Sequence, residues 1–199
     1  MLPLLRLRLR RGSFWFCDAC PQDCAAGTYA ASTGMSKCVP CNAGKYSVSG
    51  AAACSDCAAG SYADFIACQP HGCKGVGSCT LCPQGTYNTN TASTSIAACT
   101  ACPAGTYSAS IGATSSATCL QCPTGTYNDR TGSTSAAACT ECPAGTYNTN
   151  TGSTSAAACE ACPAGTYNHD VGSKAAGRCK VCFATARGGD CVACCRCCG

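Results

Sequence analysis

Large apolar side chains are scarce in this sequence, which has four Phe, one Trp and two Met among 199 residues. Much of the hydrophobic fraction is Ala and Cys, so one continuous hydrophobic core is not expected. No run of about 18 apolar residues occurs, and we expect no membrane span in this chain. The only His are His71 and His169, and Gly-x-Ser-x-Gly and phosphate-loop motifs are missing. The sequence therefore predicts neither enzyme activity nor a cofactor.

Charge is sparse as well. The formal net charge is +4, and Arg6, Arg8, Arg10 and Arg11 account for it. The stretch 79–178 carries four acidic and three basic residues, with no basic stripe along it. A nucleic-acid partner is therefore not expected.

Cysteine, by contrast, is abundant: 26 residues, about 13 % of the chain, where roughly 8–10 % already indicates a disulfide scaffold. Residues 79–178 form five consecutive blocks of twenty residues, and each block opens with Cys-x-x-Cys-Pro-x-Gly-Thr-Tyr. A fixed short period is typical of a repeat array, whose units contact mainly their neighbours. We predict a small disulfide-rich fold of tandem 20-residue repeats, elongated, with short β-hairpins and turns and little helix.

The block that starts at Cys139 illustrates the local prediction. Gly145 suits a turn that needs positive φ, and Thr146 and Tyr147 favour a short strand. Tyr147 is the one large side chain of the block, and we expect it to pack on a cystine. The polar segment 148–155 is interpreted as an exposed, turn-rich loop. The corresponding turn residues are Gly85, Gly105, Gly125, Gly145 and Gly165, and the packing residues are Tyr87, Tyr107, Tyr127, Tyr147 and Tyr167.

The flanking segments differ from the regular blocks. Residues 1–16 alternate Leu and Arg and fit a secretory signal poorly, so we interpret them as a fragment edge, with a membrane-surface segment as the alternative. Residues 17–78 hold divergent copies of the repeat, with Cys68 and Cys73 in an inserted loop. Residues 179–199 are a degenerate tail ending CVACCRCCG, which is similar to a thiolate cluster for soft metals but is better explained as an irregular terminus.

The regular cysteines allow more than one chemistry. Each second Cys of a pair could bond the first Cys of the next pair, or first could bond first and second bond second, and sequence alone does not decide. Pairs of Cys-x-x-Cys sixteen residues apart also match zinc-ribbon spacing, which gives the alternative of an intracellular structural zinc array. Neighbouring zinc sites would compete for the same pairs, so we favour disulfides and no metal. A redox role is disfavoured because the pairs are equivalent and no βαβ scaffold is predicted.

Cys-x-x-Cys-Pro-Ala-Gly-Thr-Tyr followed by a Ser/Thr/Gly segment resembles the ephrin-receptor-like cysteine-rich repeat. It is also similar to the cysteine-rich modules of tumour-necrosis-factor and growth-factor receptors. The resemblance covers 79–182 well and 17–78 loosely. It implies the loop-closing pairing, in the order Cys82–Cys99, Cys102–Cys119, Cys122–Cys139, Cys142–Cys159 and Cys162–Cys179.

The resemblance also implies a setting for the chain. We expect an extracellular or cell-surface spacer or protein-interaction scaffold that is part of a larger surface protein. Its ligand would be a protein or a glycan.

Overall fold

The computed structural model describes residues 24–32, 37–64 and 75–181. Within these ranges the chain forms eight two-stranded antiparallel sheets and five single-turn 3₁₀ helices, with no α-helix. This confirms the small disulfide-rich fold of tandem hairpin repeats. The segment 1–16, the cysteines Cys68 and Cys73, and the CVACCRCCG tail lie outside the described residues.

Every strand is two residues long. In chain order the strands are β1 Thr28–Tyr29, β2 Val39–Pro40, β3 Lys45–Tyr46, β4 Ser55–Asp56, β5 Ser61–Tyr62, β6 Thr80–Leu81, β7 Thr86–Tyr87, β8 Thr100–Ala101, β9 Thr106–Tyr107, β10 Leu120–Gln121, β11 Thr126–Tyr127, β12 Thr140–Glu141, β13 Thr146–Tyr147, β14 Glu160–Ala161, β15 Thr166–Tyr167 and β16 Lys180–Val181. Each odd-numbered strand pairs with the strand that follows it.

The 3₁₀ helices lie in the loops between paired strands of the regular region. They are Ile96–Ala98, Ser116–Thr118, Ala136–Ala138, Ala156–Ala158 and Ala176–Arg178. Each ends where the backbone N–H of the following Cys donates to its first carbonyl, as Cys159 does to Ala156 at 3.0 Å. The small Ala residues let this turn deliver the Cys to its sulfur partner.

The structural repeat is offset from the sequence period. The first repeat begins at Cys24, and each later one begins at the second Cys of a Cys-x-x-Cys pair. Every repeat ends with the second strand of its hairpin, so each contains one complete sheet. The eight structural repeats are 24–40, 41–56, 57–81, 82–101, 102–121, 122–141, 142–161 and 162–181. The hairpins β5–β6 and β15–β16 therefore cross the sequence boundaries at 78/79 and 178/179.

The core is a row of small buried groups and contains no cluster of large apolar side chains among the described residues. Cys82, Cys102, Cys122 and Cys142 are 0 % exposed, and Asn88, Asn128 and Asn148 are 1 % exposed. Among the described residues, backbone hydrogen bonds between repeats join immediate neighbours, and the side-chain bond from Thr151 to Gln121 reaches the second repeat along the chain. Contacts of such short range make the array elongated, as predicted.

Candidate functional site

The candidate site is the junction between successive structural repeats, where the residues recur most regularly in the sequence. A junction consists of a cystine, a glycine turn, a tyrosine and a buried polar pair. Among residues 24–32, 37–64 and 75–181, no group of three or more His, Cys, Asp or Glu could hold a metal ion.

The cystines close the repeats one by one. In the regular region the structure joins Cys82 to Cys99, Cys102 to Cys119, Cys122 to Cys139, Cys142 to Cys159 and Cys162 to Cys179. The same pattern continues upstream as Cys24–Cys38, Cys41–Cys54 and Cys57–Cys79. Their Cα–Cα distances of 5.6–5.8 Å lie in the usual range for a disulfide. Zinc is bound by cysteine thiolates, and the sulfurs of a cystine are not thiolates. These disulfides therefore favour the extracellular interpretation over the zinc array.

The glycines after Pro adopt positive φ because they occupy the third position of a four-residue turn. The turn is closed by Thr106 N–H donating to Pro103 O at 3.2 Å, with Gly105 at φ +79° between them. Gly85, Gly125, Gly145 and Gly165 have φ between +75° and +82°. A Cβ at Gly105 would also run into the carbonyl of Gly152, two repeats away. This position is thus a turn and a point of close approach between repeats.

The tyrosines lie in the first strand of each hairpin. The rings of Tyr87, Tyr107, Tyr127, Tyr147 and Tyr167 are all half-buried. The Tyr167 ring lies against the turn of the preceding repeat, with its Cε2 atom 3.1 Å from where a Cβ on Gly145 would be. The Tyr147 hydroxyl donates to Glu160 Oε2 at 2.9 Å across the hairpin, and this bond raises the pKa of Tyr147. Packing of the rings on cystines stays a prediction.

The interpretation of 148–155 as an exposed loop is wrong at two residues, Asn148 and Ser153. Asn148 is 1 % exposed and Ser153 is 9 % exposed, and they lie inside the junction. Both are small polar residues, the type that turns prefer, so their composition suggested a solvated loop. The missed signal is positional: Asn recurs six residues and Ser eleven residues after Cys82, Cys122, Cys142 and Cys162.

Asn148 connects three successive repeats. Its side-chain amide donates to Thr126 O of the preceding repeat at 2.9 Å and to Ser153 Oγ of its own repeat at 2.8 Å, and its Oδ1 accepts from Asn150 N at 3.0 Å. Its backbone N–H donates to Ser173 O of the next repeat at 2.9 Å. No buried side-chain nitrogen or oxygen is left without a partner in the part of the chain that the structure describes. A fully satisfied buried network of this kind rigidifies the structure around it.

One section of the array has an unusual surface. Residues 75–128 contain no Asp, Glu, Lys, Arg or His. Within this section Leu81, Ile96, Ile111 and Leu120 are each 55–60 % exposed. Leu81 lies against the Gly112 turn, next in sequence to Ile111. The surface is therefore neutral and partly apolar, whereas the sections on either side of it carry charges.

Comparison with known proteins identifies the repeat. The family model described as tyrosine-protein kinase ephrin type A/B receptor-like matches five overlapping segments, residues 44–99, 72–118, 97–139, 114–159 and 136–179. These segments cover more than half of the chain. No curated protein matches it. Where the structure describes the chain, none of its helices has the length and apolarity needed to cross a membrane. With its repeat period, its cystines and this family match, the chain belongs to the ephrin type A/B receptor-like family of cysteine-rich repeats.

Proposed function

We propose that this chain is an extracellular or cell-surface module, stapled by disulfides, that acts as a spacer and protein-interaction scaffold and carries out no catalysis. The observation that carries the proposal is the short range of the contacts along the chain. Backbone hydrogen bonds tie each structural repeat to the next one, as Gly105 N–H does to Asn128 O at 2.7 Å. Such an array holds whatever it carries at a distance set by the number of repeats.

The cystines support an oxidising location. Eight disulfides hold the described residues, in a fold with no large apolar core to replace them. Disulfides of this density persist outside the cell and are rare where glutathione keeps thiols reduced. We propose that the chain is part of a larger surface protein and that its partner is a protein or a glycan.

The neutral section 75–128 favours the scaffold role. At their centres, protein interfaces are depleted in charged residues and are more apolar than the rest of the protein surface. A nucleic-acid partner would instead need clustered Lys and Arg. Weak contacts repeated along one side of the array would add up by multivalency.

Small-angle scattering on monodisperse, oxidised protein tests the spacer role. A compact chain of this length would have a radius of gyration of about 16 Å. We expect a clearly larger value and the profile of a bent rod. A radius near the compact value would show that the repeats pack into one body, and the spacer role would be wrong.

Proteolysis without reductant tests the proposed cysteine pairing. Cleavage after Asp129, Glu141, Glu160 and Asp170 releases the peptides 130–141, 142–160 and 161–170. With the Cys142–Cys159 bond, the peptide 142–160 is closed on itself and carries no other peptide. The competing rule would instead bond Cys142 and Cys159 each to a cysteine of a different peptide, so 142–160 would carry two others.

Metal and thiol assays on the same material separate the two classes of function. We expect no stoichiometric zinc and no free thiol at the paired cysteines. One zinc for every two repeats, with thiols that react after chelation, would support the intracellular zinc array instead.

A further inference from the structure

The buried Asn–Ser pair is interrupted in one regular repeat. Repeats 82–101, 122–141, 142–161 and 162–181 each have Asn and Ser at the two positions, whereas repeat 102–121 has Ser108 and Ala113. Both replacements are buried, with Ser108 1 % exposed and Ala113 5 % exposed. The junction between 82–101 and 102–121 therefore has the same backbone path but different side chains.

The two positions change together for a physical reason. A buried Asn has two amide hydrogens, and in Asn128 one is donated to Thr106 O and the other to Ser133 Oγ. An Asn opposite Ala would keep one buried hydrogen without a partner, which costs more than a typical hydrogen bond contributes. With Ser108 and Ala113 there is no amide group to satisfy, and the Ser108 hydroxyl oxygen accepts from Ser110 N at 3.3 Å within its own loop.

The substitution removes the side-chain link across one junction. Asn88, Asn128 and Asn148 each donate to a carbonyl in the preceding repeat. Among the described contacts, Ser108 makes no such bond to Thr86. What ties repeat 102–121 to the repeat before it is backbone pairing, including Gly85 N–H to Ser108 O at 2.8 Å.

We propose that this junction is a built-in joint, at which the array opens and bends more readily than at the next two junctions, which Asn128 and Asn148 bridge. The cystines on both sides, Cys82–Cys99 and Cys102–Cys119, keep each repeat closed while the junction moves. The joint lies in the middle of the neutral section 75–128, so bending there would change how Leu81 and Ile111 are presented. The inference does not depend on what the array carries or binds.

Native-state amide exchange on the oxidised full chain tests the joint with matched internal controls. Gly85, Gly105 and Gly125 have equivalent backbone bonds, to Ser108 O, Asn128 O and Asn148 O at 2.8, 2.7 and 2.8 Å. Loss of about one net hydrogen bond predicts a protection factor for Gly85 that is roughly fivefold lower than for Gly105 or Gly125. Equal or higher protection at Gly85 would overturn the proposal.

Paired variants show whether the side chains are the cause. Ser108→Asn with Ala113→Ser should raise the protection of Gly85 to that of Gly105, whereas Ser108→Asn alone should not, because one buried hydrogen stays unpaired. Asn128→Ser with Ser133→Ala should move the joint one repeat along, lowering the protection of Gly105 and leaving Gly125 unchanged. If the restoring pair leaves Gly85 unchanged, the joint is not set by these side chains and the proposal is wrong. The comparison within the unmodified chain stands even where a variant fails to fold.

Discussion

The side-chain nitrogen of Asn148 lies 2.8 Å from Ser153 Oγ, five residues further along the same repeat. This bond closes the polar loop onto itself and leaves the second amide hydrogen free to reach Thr126 O in the preceding repeat. One buried amide thus couples the conformation of a loop to the stacking of two repeats. In a chain with few large apolar side chains, this coupling takes the place that apolar packing has in most domains.

Replacing Asn148 should destabilise its junction. Asn148→Ala removes two donated bonds and one accepted bond from a buried site, and we expect a loss of about 2–4 kcal/mol in the local opening free energy. The amide protection of Gly125, which donates to Asn148 O at 2.8 Å, reports it. Asn150→Ala is the control, since Asn150 is exposed and contributes only its backbone N–H to Asn148. Similar effects of both changes would show that the buried side chain contributes little.

The Ser partner should matter only while Asn is present. Ser153→Ala leaves one Asn148 hydrogen buried without an acceptor, and we expect a cost of about 1–3 kcal/mol. Adding Asn148→Ser to Ser153→Ala should cost less than the sum of the two single changes, because the pair then matches Ser108 and Ala113. A double-mutant cycle on Gly125 protection measures this coupling, with the exposed Ser155→Ala as the matched control. Strict additivity would contradict it.

Substitutions at two glycines distinguish the free-energy cost of positive φ from that of close approach between repeats. Gly105 and Gly165 have φ of +79° and +78°, but only at Gly105 would a Cβ strike a described atom, the carbonyl oxygen of Gly152. Gly165→Ala should therefore cost roughly 1–2 kcal/mol, the penalty for a left-handed residue. Gly105→Ala should cost clearly more and force two repeats apart.

The yield of correctly oxidised monomer, followed by chromatography without reductant, compares the two glycine variants. We expect Gly165→Ala to be recovered close to the unmodified level and Gly105→Ala to be recovered poorly. Equal recovery would show that the repeats do not approach each other closely at Gly105.

Tyr147 should titrate at higher pH than an ordinary tyrosine. Its hydroxyl donates to Glu160, and this hydrogen bond, followed by slight desolvation and the Glu160 charge, raises the pKa above the ordinary 10.0. The neutral phenol is the form that donates, so alkaline pH breaks the bond. In Glu160→Ala the pKa should fall toward its ordinary value. Residue-resolved NMR titration gives the pKa, with Glu141→Ala as the control; an unchanged pKa in Glu160→Ala would exclude the cause.

The amino-acid sequence by itself determined the class of structure. Its twenty-residue period, its cysteines and the Pro-x-Gly-Thr-Tyr turn predicted hairpin repeats held by disulfides, because these features act within one repeat or between its two ends. Gly145 illustrates this: a positive φ in a tight turn is a local requirement that only glycine meets easily, and the structure has φ +82° there.

Only the tertiary structure decided what lies inside. Asn148 and Ser153 have the composition of a solvated loop, and a residue type does not reveal that the loop returns onto the preceding repeat. The bond from Asn148 to Thr126 spans 22 residues, so its partner depends on how successive turns of the array stack. For the same reason, the sequence of one block does not show what Ser108 and Ala113 change. The hydrogen bond that is lost there would join two repeats, so its loss is visible only in the tertiary structure.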